Sequence, residues 1–513
     1  MNGAESLVRT LLAHGIDTCF ANPGTSEMHF VAALDQVPGM HCVLGLFEGV
    51  VTGAADGYAR MAGKPAATLL HCGPGLANGL ANLHNARRAE VPMVNIVGDQ
   101  ATYHRPLDAP LTADTEGWAR PVSCWTRTGS RAETVGADAA AAIQAAMTAP
   151  GGISTLILPS DVSWDDGGVV APVLAVPAAP QVAPSALDEA AAALRSGEPT
   201  VLLVAGRALR ADALAIAHRI VAATGARLMC PTSNGRIERG RGRHPVERVP
   251  YAIDQAVAAL QDVRHLILVG AQAPVGFFAY PGKPGRMQPE DAAVHVLARP
   301  EQDLVDALER LADRLGAPPA PPAPVLPAPE LPRGGRINPD SVAQVVAALM
   351  PENAVVVDES ITFGRAFYNT AMASPPHDWL QLTGGAIGAG LPLATGAAIG
   401  APGRRVVTLQ ADGSALYTVQ ALWTQAREKL DVTTVILSNR KYAILLHELA
   451  NVGANPGRTA LDMLDLGNPS IDWTHIATGF GVEAAQADTL ERFADLLASA
   501  NRRPGPFLIE LMI

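Results

Sequence analysis

The chain has 513 residues, 48% of them hydrophobic and 17% charged, a composition typical of a globular protein with roughly three domains. Its 38 basic and 49 acidic residues give a net charge of −11, which argues against nucleic acid as a partner. The five cysteines lack CxxC spacing, so neither a zinc site nor a disulfide framework is predicted. There is no charged-then-apolar leader and no run of about 18 apolar residues, so we expect a cytoplasmic protein with no membrane partner.

The first third of the chain, residues 1–165, alternates predicted helices and strands. A helix over 4–14 precedes strands over 16–20, 42–47, 66–71, 93–97 and 154–158, a pattern that predicts a doubly wound parallel α/β sheet. Three polar residues lie at or shortly after the ends of these strands: Thr25, Glu48 and His71. Ligands bind at the carboxyl ends of strands in such sheets, so these residues are candidate site residues.

Each of the three also has a purely structural interpretation. Glu48 could favour the first turn of a helix without any chemical role, and Thr25 could be a turn or cap residue. A lone histidine after a strand is more often a hydrogen-bonded loop residue than a catalyst. Glu48 has apolar neighbours on both sides, however, so we expect its carboxyl group to be buried and to need a partner.

The middle of the chain predicts a second α/β domain over residues 184–316, after a linker over 164–185 that is rich in Pro, Ala and Gly. Strands are expected over 200–204, 227–230 and 265–269, with no acid–base constellation near them. The only basic cluster is the segment 236–243. Because acidic residues such as Glu238 are interleaved with its arginines and no aromatic residue is present, we expect a solvated loop.

A proline-rich spacer over 317–334 precedes a third domain over 335–513. In this domain a strand over 406–409, an Ala-Asp-Gly-Ser turn, a helical pattern through Glu428 and a strand over 432–437 form a strand–helix–strand unit. Asp412 and Asn439 each lie just past a strand, where their oxygen atoms could bind Mg²⁺ beside a phosphate at the helix start. A simple turn with an Asn helix cap explains the motif taken alone equally well.

The spacing from Asp412-Gly413-Ser414 to Asn439 resembles the motif of thiamine diphosphate (ThDP) enzymes, although Ala411 stands where that family usually has Gly. We expect this small change to leave the site intact. The resemblance implies three α/β domains, named pyrimidine-binding, middle and diphosphate-binding. It implies that Asp412, Asn439 and the backbone carbonyl of Lys441 bind Mg²⁺. It also assigns to the cofactor Glu48, Ser360, Gly385, Ile387, Asp412, Gly413, Ser414, Asn439, Lys441 and Tyr442.

Two of these residues have a specific role in the family. Glu48 matches by context the glutamate that bonds the aminopyrimidine ring of the cofactor. Ile387 lies in the glycine-rich segment 383–392, at the place of a bulky apolar residue that wedges under the cofactor. A non-catalytic homologue would be expected to lose Glu48 or Asp412, and both are present.

Residues 22–60, together with Leu70-His71 and the glycines that follow, are most similar to the benzoylformate decarboxylases. Those enzymes have a catalytic histidine at the place of His71 and a substrate-contacting serine at the place of Thr25. Their second catalytic histidine, in a loop similar to 276–281, has no counterpart in this chain. Acetolactate synthases instead have a small hydroxyl-bearing residue where His71 falls.

The resemblance therefore implies a lyase that decarboxylates a benzoylformate-like 2-oxo acid to an aldehyde, with carboligation as a further outcome. Acetolactate synthase is the close alternative. A 2-hydroxyacyl-CoA lyase or oxalyl-CoA decarboxylase is a further alternative. The family also implies a homodimer or homotetramer whose cofactor sites lie between subunits.

Overall fold

The first sheet is six-stranded and fully parallel, with strand order β2-β1-β3-β4-β6-β5. The structure, a computed structural model, describes residues 1–513. The strands are β1 (Thr18–Asn22), β2 (His41–Leu44), β3 (Ala66–Leu70), β4 (Met93–Asp99), β5 (Trp125–Thr128) and β6 (Ile153–Pro159). The helices around them are α1 (Gly3–Ala13), α2 (Met28–Gln36), α3 (Glu48–Ala62), α4 (Cys72–Arg88), α5 (Thr115–Ala119), α6 (Val135–Met147) and α7 (Ser160–Trp164).

The second sheet is five-stranded and parallel, with order β10-β8-β7-β11-β12. Its segment contains β7 (Thr200–Val204), β8 (Arg227–Cys230), β9 (Ile237–Arg239), β10 (Glu247–Arg248), β11 (His265–Val269) and β12 (Ala293–Ala298). Strand β9 leaves this sheet and joins the third. The flanking helices are α8 (Pro184–Arg195), α9 (Ala211–Thr224), α10 (Ile253–Leu260) and α11 (Leu304–Leu315).

The third sheet is seven-stranded, with order β17-β18-β16-β15-β13-β14-β9, and only the β9–β14 pair is antiparallel. Its other strands are β13 (Val355–Glu359), β14 (His377–Gln381), β15 (Val406–Ala411), β16 (Val432–Ser438), β17 (Glu483–Ala487) and β18 (Phe507–Met512). The helices are α12 (Pro339–Ala348), α13 (Phe367–Thr370), α14 (Gly390–Gly400), α15 (Asp412–Ala415), α16 (Ala421–Arg427), α17 (Ala443–Asn451), α18 (Arg458–Asp462), α19 (Trp473–Gly479) and α20 (Leu490–Ala500).

Three mostly parallel sheets with helices on their faces confirm the predicted α/β class. Residues 317–334 contain no helix or strand, in agreement with the expected spacer. We retain 1–165, 184–316 and 335–513 as the proposed domain boundaries. None of the helices is long and apolar enough to cross a bilayer.

Several predicted elements differ from the structure at their ends, and three of these differences have a clear local cause. Strand β1 begins at Thr18 because the N–H of Ile16 still bonds the carbonyl of Leu11 and closes helix α1. Strand β2 ends at Leu44, since Phe47 is the extended N-cap of helix α3. The helix expected through Glu428 is broken into α15 and α16, and Thr418 between them bonds the carbonyl of Gly388 at 2.7 Å.

The prediction of a solvated loop over 236–243 is wrong. Ile237–Arg239 is strand β9, and Arg239 is only 4% exposed. The guanidinium of Arg239 lies 3.6 Å from the ring centroid of Tyr368, and Arg236 pairs with Asp378 at 2.6 Å. These partners lie more than a hundred positions away in sequence, so local composition could not reveal them.

Helices α3 and α14 pack against each other and so connect the first and third sheets. A Cβ placed on Gly57 would lie 2.0 Å from the carbonyl oxygen of Leu393, and one on Gly396 would lie 1.7 Å from that of Ala54. The two helices are therefore in backbone contact, which only glycine permits at these positions. Asn82 donates to the carbonyls of Gly49 (2.8 Å) and Gly388 (3.4 Å), so the start of α3 lies beside the glycine-rich segment.

Candidate functional site

Asp412 follows strand β15 directly and is 2% exposed. Its Oδ2 accepts the N–H of Arg440 at 2.6 Å, and its Oδ1 accepts the N–H of Gly413 at 2.8 Å. Burial raises the pKa of Asp412, and the hydrogen bonds from Arg440 and Gly413 oppose that rise. A carboxylate oxygen has two lone pairs, so each Asp412 oxygen retains one for a metal ion.

Asn439, Lys441 and Tyr442 follow the neighbouring strand, β16, and close the same cleft. Oδ1 of Asn439 accepts the N–H of Lys441 at 3.0 Å, which fixes the amide beside the turn. The ring of Tyr442 packs over Gly413, where a Cβ would come within 2.5 Å of it. The predicted residues are thus brought together: Asp412, Gly413, Ser414, Asn439, Lys441 and Tyr442.

This cleft is lined by 16 residues, all of them between Ser360 and Ile513, and Ser360 and Ile387 are among them. Its polar end carries Asp412 and Asn439, and its apolar wall includes Leu437 and Ile444 in addition to Ile387. Oxygen donors beside apolar side chains suit a cofactor that has a diphosphate–Mg²⁺ end and an aromatic ring. The donor set therefore fits the predicted cofactor. Glu48 does not line this cleft.

The glycine-rich segment before helix α14 is tightly enclosed. Gly385 has φ +79°, and a Cβ on it would lie 2.7 Å from the ring of Phe277. The loop around residues 276–281 therefore reaches this segment, as its resemblance implied. Gly388 has φ +94°, and a Cβ there would meet Tyr417 at 2.5 Å, so both positions require glycine.

His71 lies at the N-cap of helix α4 and contacts a carboxylate that the sequence analysis did not single out. Its Nδ1 donates to Oε2 of Glu27 at 2.8 Å and lies 3.3 Å from Oγ of Ser26. Oε2 of Glu27 also accepts the N–H of Gly24 at 2.7 Å, and its Oε1 accepts the Ser26 hydroxyl at 2.6 Å. Glu27 is 3% exposed, whereas the His71 side chain is 23% exposed. Nε2 is thus left as the nitrogen free to face a ligand.

Ser26, which the sequence analysis did not single out, is the hydroxyl residue of this turn that joins the Glu27–His71 pair. The Thr25 side chain is exposed and is not part of the Glu27–His71 network, whereas Ser26 bonds both Glu27 and Cys72, the latter at 2.9 Å. Ligand atoms of Glu27, His71 and Cys72 lie within 4.8 Å of one another, a spacing that could hold a metal ion. Because hydrogen bonds already satisfy these atoms, we interpret them as an acid–base network.

Glu48 is the first residue of helix α3 and is 7% exposed, in agreement with the expected burial. Its Oε2 accepts Nδ2 of Asn78 at 3.0 Å, and a Cβ on Gly75 would lie 2.9 Å from its Oε1. The expected partner of the buried carboxyl is therefore an asparagine from helix α4. Gly75 leaves room for the carboxylate, which explains one glycine of the Gly-Pro-Gly segment.

Four residues that organise the site were missed. Glu27 and Glu359 occur in segments that were recognised, but neither was given a role; both are buried beside backbone N–H groups. Gln410 bonds Glu359 and Ser414, and Asn85 bonds Ala386. A buried acid at the end of a strand was the only available signal, and it is present at Glu359 alone.

Comparisons with known proteins agree with this geometry. Residues 1–118 match the family model of the thiamine pyrophosphate enzyme N-terminal TPP binding domain, and residues 363–511 match that of the C-terminal TPP binding domain. Thiamine pyrophosphate is another name for ThDP. The first match contains the Glu27–His71 network, and the second contains Asp412, Asn439 and most of the other residues that line the cleft.

Similar proteins include both enzyme types considered above. "Putative acetolactate synthase large subunit IlvX" of Mycobacterium tuberculosis is 54% identical, over 100% of this chain and 99% of that protein. Benzoylformate decarboxylase of Pseudomonas aeruginosa is 32% identical, over 98% and 97% respectively. The solved ThDP-dependent 4-hydroxybenzoylformate decarboxylase of Rhodococcus jostii has a TM-score of 0.84 and 27% identity, covering 99% of this chain and 98% of that one. The chain belongs to the thiamine pyrophosphate enzyme family.

Proposed function

We propose that this enzyme catalyses the ThDP- and Mg²⁺-dependent, non-oxidative decarboxylation of a benzoylformate-like 2-oxo acid to an aldehyde. The observation that carries the proposal is the Glu27–His71 pair at 2.8 Å, placed at the carboxyl end of the first sheet. A decarboxylase must return a proton to its intermediate, and an oriented imidazole is suited to that step near neutral pH. The relation to benzoylformate decarboxylases supports it.

The cofactor would be held by the cleft of the third sheet. Asp412, Asn439 and the Lys441 carbonyl would bind Mg²⁺, and Ser360, Gly413 and Ser414 would contact the diphosphate. Ile387, Gly385 and Tyr442 would contact the rings. When bound, ThDP supplies the nucleophilic carbon and the electron sink that decarboxylation requires.

Each residue of the first sheet would then have a defined task. Glu27 holds Nδ1–H of His71, so that Nε2 can orient the substrate carboxylate and exchange a proton. The exposed hydroxyl of Thr25 is available to bond the same carboxylate. Glu48 would bond the aminopyrimidine ring, and Asn78 fixes its orientation.

We further propose that the enzyme acts as a homodimer or homotetramer. The Asp412 cleft is lined only by residues from 360 to 513, and Glu48 lies outside it. A second subunit that brings its Glu48 to this cleft would complete the site.

Acetolactate synthase activity is the second candidate, and the relative with 54% identity over the whole chain favours it. In that reaction the intermediate attacks a second 2-oxo acid instead of taking a proton. The presence of His71, rather than a small hydroxyl-bearing residue, favours the decarboxylase. The product therefore separates the two candidates.

The test is NMR product analysis with Mg²⁺, ThDP, pyruvate and benzoylformate supplied together. We expect benzaldehyde and CO₂ as the main products. Accumulation of acetolactate would reject the decarboxylase in favour of the synthase. Failure to consume either acid would contradict both candidates and direct the search to acyl-CoA substrates.

A further inference from the structure

The backbone on both sides of Ile387 is held by side chains from two different parts of the fold. On one side, Nδ2 of Asn85 donates to the carbonyl of Ala386 at 2.8 Å, and Oδ1 of Asn85 accepts the N–H of Ala386 at 3.2 Å. On the other side, the N–H of Gly388 donates to Oε1 of Glu359 at 2.7 Å. Asn85 belongs to helix α4, and Glu359 ends strand β13. Ile387 itself is left free to face the cleft.

Glu359 bonds the first turn of helix α14 although it lies outside that helix, at the end of strand β13. It is 2% exposed, and its Oε2 accepts the N–H of Gly390, the first residue of helix α14, at 2.6 Å. The N-cap residue Ala389 provides no side-chain bond, so Glu359 replaces it as the cap. Burial raises the pKa of Glu359, and the hydrogen bonds from Gln410 and from the 388–390 backbone oppose that rise. A buried carboxylate is costly, and a Ser or Asn cap would suffice for the helix alone.

The same carboxylate is connected to the diphosphate turn. Nε2 of Gln410 donates to Oε2 of Glu359 at 3.0 Å and to Oγ of Ser414 at 2.6 Å. Gly390 makes this approach feasible, because a Cβ there would lie 2.0 Å from Oε1 of Gln410. Glu359 thus joins three segments that line or border one cleft: the end of β13, the segment before α14 and the turn after β15.

We propose that Glu359 and Asn85 are positioning residues that clamp the peptide groups flanking Ile387 and so set the position of its side chain against the bound cofactor. This inference rests on the proposed function, in which Ile387 contacts the cofactor. Asp412 and Asn439, which would hold the other end of the cofactor, make no direct hydrogen bond with Glu359. Loss of the clamp should therefore affect catalysis more than cofactor affinity.

The first test measures amide hydrogen exchange in the cofactor-free enzyme, for wild type, Glu359→Gln and Asn85→Ala. A glutamine side chain can accept from only one of Gly388 and Gly390 and presents an N–H to the other. We expect exchange in the peptide covering residues 383–391 to rise about tenfold in both variants, while the strand β15 peptide is unchanged. The control is Glu352→Gln, since Glu352 is exposed and the charge change is identical.

The second test compares kcat with the Kd for ThDP, measured by calorimetry in the presence of Mg²⁺. For Glu359→Gln we expect kcat to fall about tenfold or more, because small misplacements at a reacting centre are costly. The Kd should stay within about threefold of wild type, because Asp412 and Asn439 are untouched.

Either of two results would overturn the clamp: wild-type exchange over 383–391 in both variants, or parallel losses of kcat and ThDP affinity. The latter would make Glu359 a general structural residue of the diphosphate site. Failure of the proposed function has a different signature. In that case wild type would lack turnover of 2-oxo acids, whereas the exchange experiment, which needs neither cofactor nor substrate, would still decide whether Glu359 and Asn85 hold this backbone.

Discussion

Nδ1 of His71 lies 2.8 Å from Oε2 of Glu27, and the same oxygen accepts the N–H of Gly24. The Glu27 carboxylate accepts three hydrogen bonds, from Gly24, Ser26 and His71. The imidazole is thereby fixed both in orientation and in tautomer. The pair therefore joins the buried carboxylate of Glu27 to the partly exposed side chain of His71.

Replacing Glu27 by Gln should lower kcat by about tenfold, because the amide no longer favours the Nδ1–H tautomer of His71. The Kd for ThDP should be unchanged, since Glu27 is not in the Asp412 cleft. Steady-state kinetics and calorimetry measure the two quantities, with exposed Glu133→Gln as the control. Wild-type kcat in Glu27→Gln would show that His71 needs no orienting carboxylate.

Gly24→Ala tests the position of His71 without changing either member of the pair. The new Cβ would lie 2.2 Å from Nδ1 of His71, so the ring must move. We expect a loss of kcat similar to that of His71→Ala, with retained folding by circular dichroism. If Gly24→Ala is fully active while His71→Ala is not, the observed ring position is not the catalytic one.

Asp412→Asn should weaken Mg²⁺-dependent ThDP binding by about 100-fold, because a charged metal ligand is lost. In wild type, burial raises the pKa of Asp412, so protons should compete with Mg²⁺ at higher pH than they would for an ordinary carboxyl group. Calorimetry between about pH 5 and about pH 8 should show that the affinity for ThDP in the presence of Mg²⁺ falls as the pH is lowered. Unchanged affinity in Asp412→Asn would refute the metal assignment; exposed Asp340→Asn is the control.

Gly413→Ala should lower cofactor affinity through a steric effect. The Cβ would lie 2.5 Å from the Tyr442 ring, which must then swing into or away from the cleft. We expect at least about a tenfold rise in the Kd for ThDP. The same steric clash should also lower the free energy of unfolding of Gly413→Ala. Adding Tyr442→Leu should recover part of that loss. A double variant no more stable than Gly413→Ala would exclude this contact as the cause.

Asp378→Asn should lower Tm, because Asp378 is 1% exposed and pairs with both Arg236 and Arg404. Loss of a buried paired charge costs about 3 kcal/mol. Although burial raises the pKa of Asp378, the two arginines bring it below its usual value. The stabilisation is therefore complete above the unfolded-state pKa of about 4 and is lost as pH falls through the lower, folded-state pKa. The Tm difference between wild type and variant should shrink only in that acidic range.

The sequence was informative wherever function depends on consecutive residues. Asp412-Gly413-Ser414, Glu48 and His71 each follow a strand, and periodicity located those strands to within a few residues. The α/β class followed from the same alternation. These features are local, so a single sequence contains them.

What could not be predicted depends on contacts between distant segments. Arg239 was expected in solvent because its aromatic partner Tyr368 lies more than a hundred positions further along the chain. The hydrogen bonds between Asn85 and Ala386 likewise join helix α4 to the glycine-rich segment that precedes helix α14. Helix α15 ends early because Thr418 bonds Gly388 rather than continuing a helix. Each outcome was decided by tertiary hydrogen bonds or stacking that outweigh local preference.

Strand β9 also affects how copies of this chain can associate. Open sheet edges present unpaired N–H and C=O groups, which invite strand addition by another molecule. Along β14 this edge is covered by Ile237–Arg239, a strand supplied from the segment of the second sheet. Residues 377–379 of β14 are therefore not available for strand pairing between two copies, and β9 becomes the edge of the sheet. Any strand pairing on that side would have to use β9, which is only three residues long and therefore presents few unpaired backbone groups.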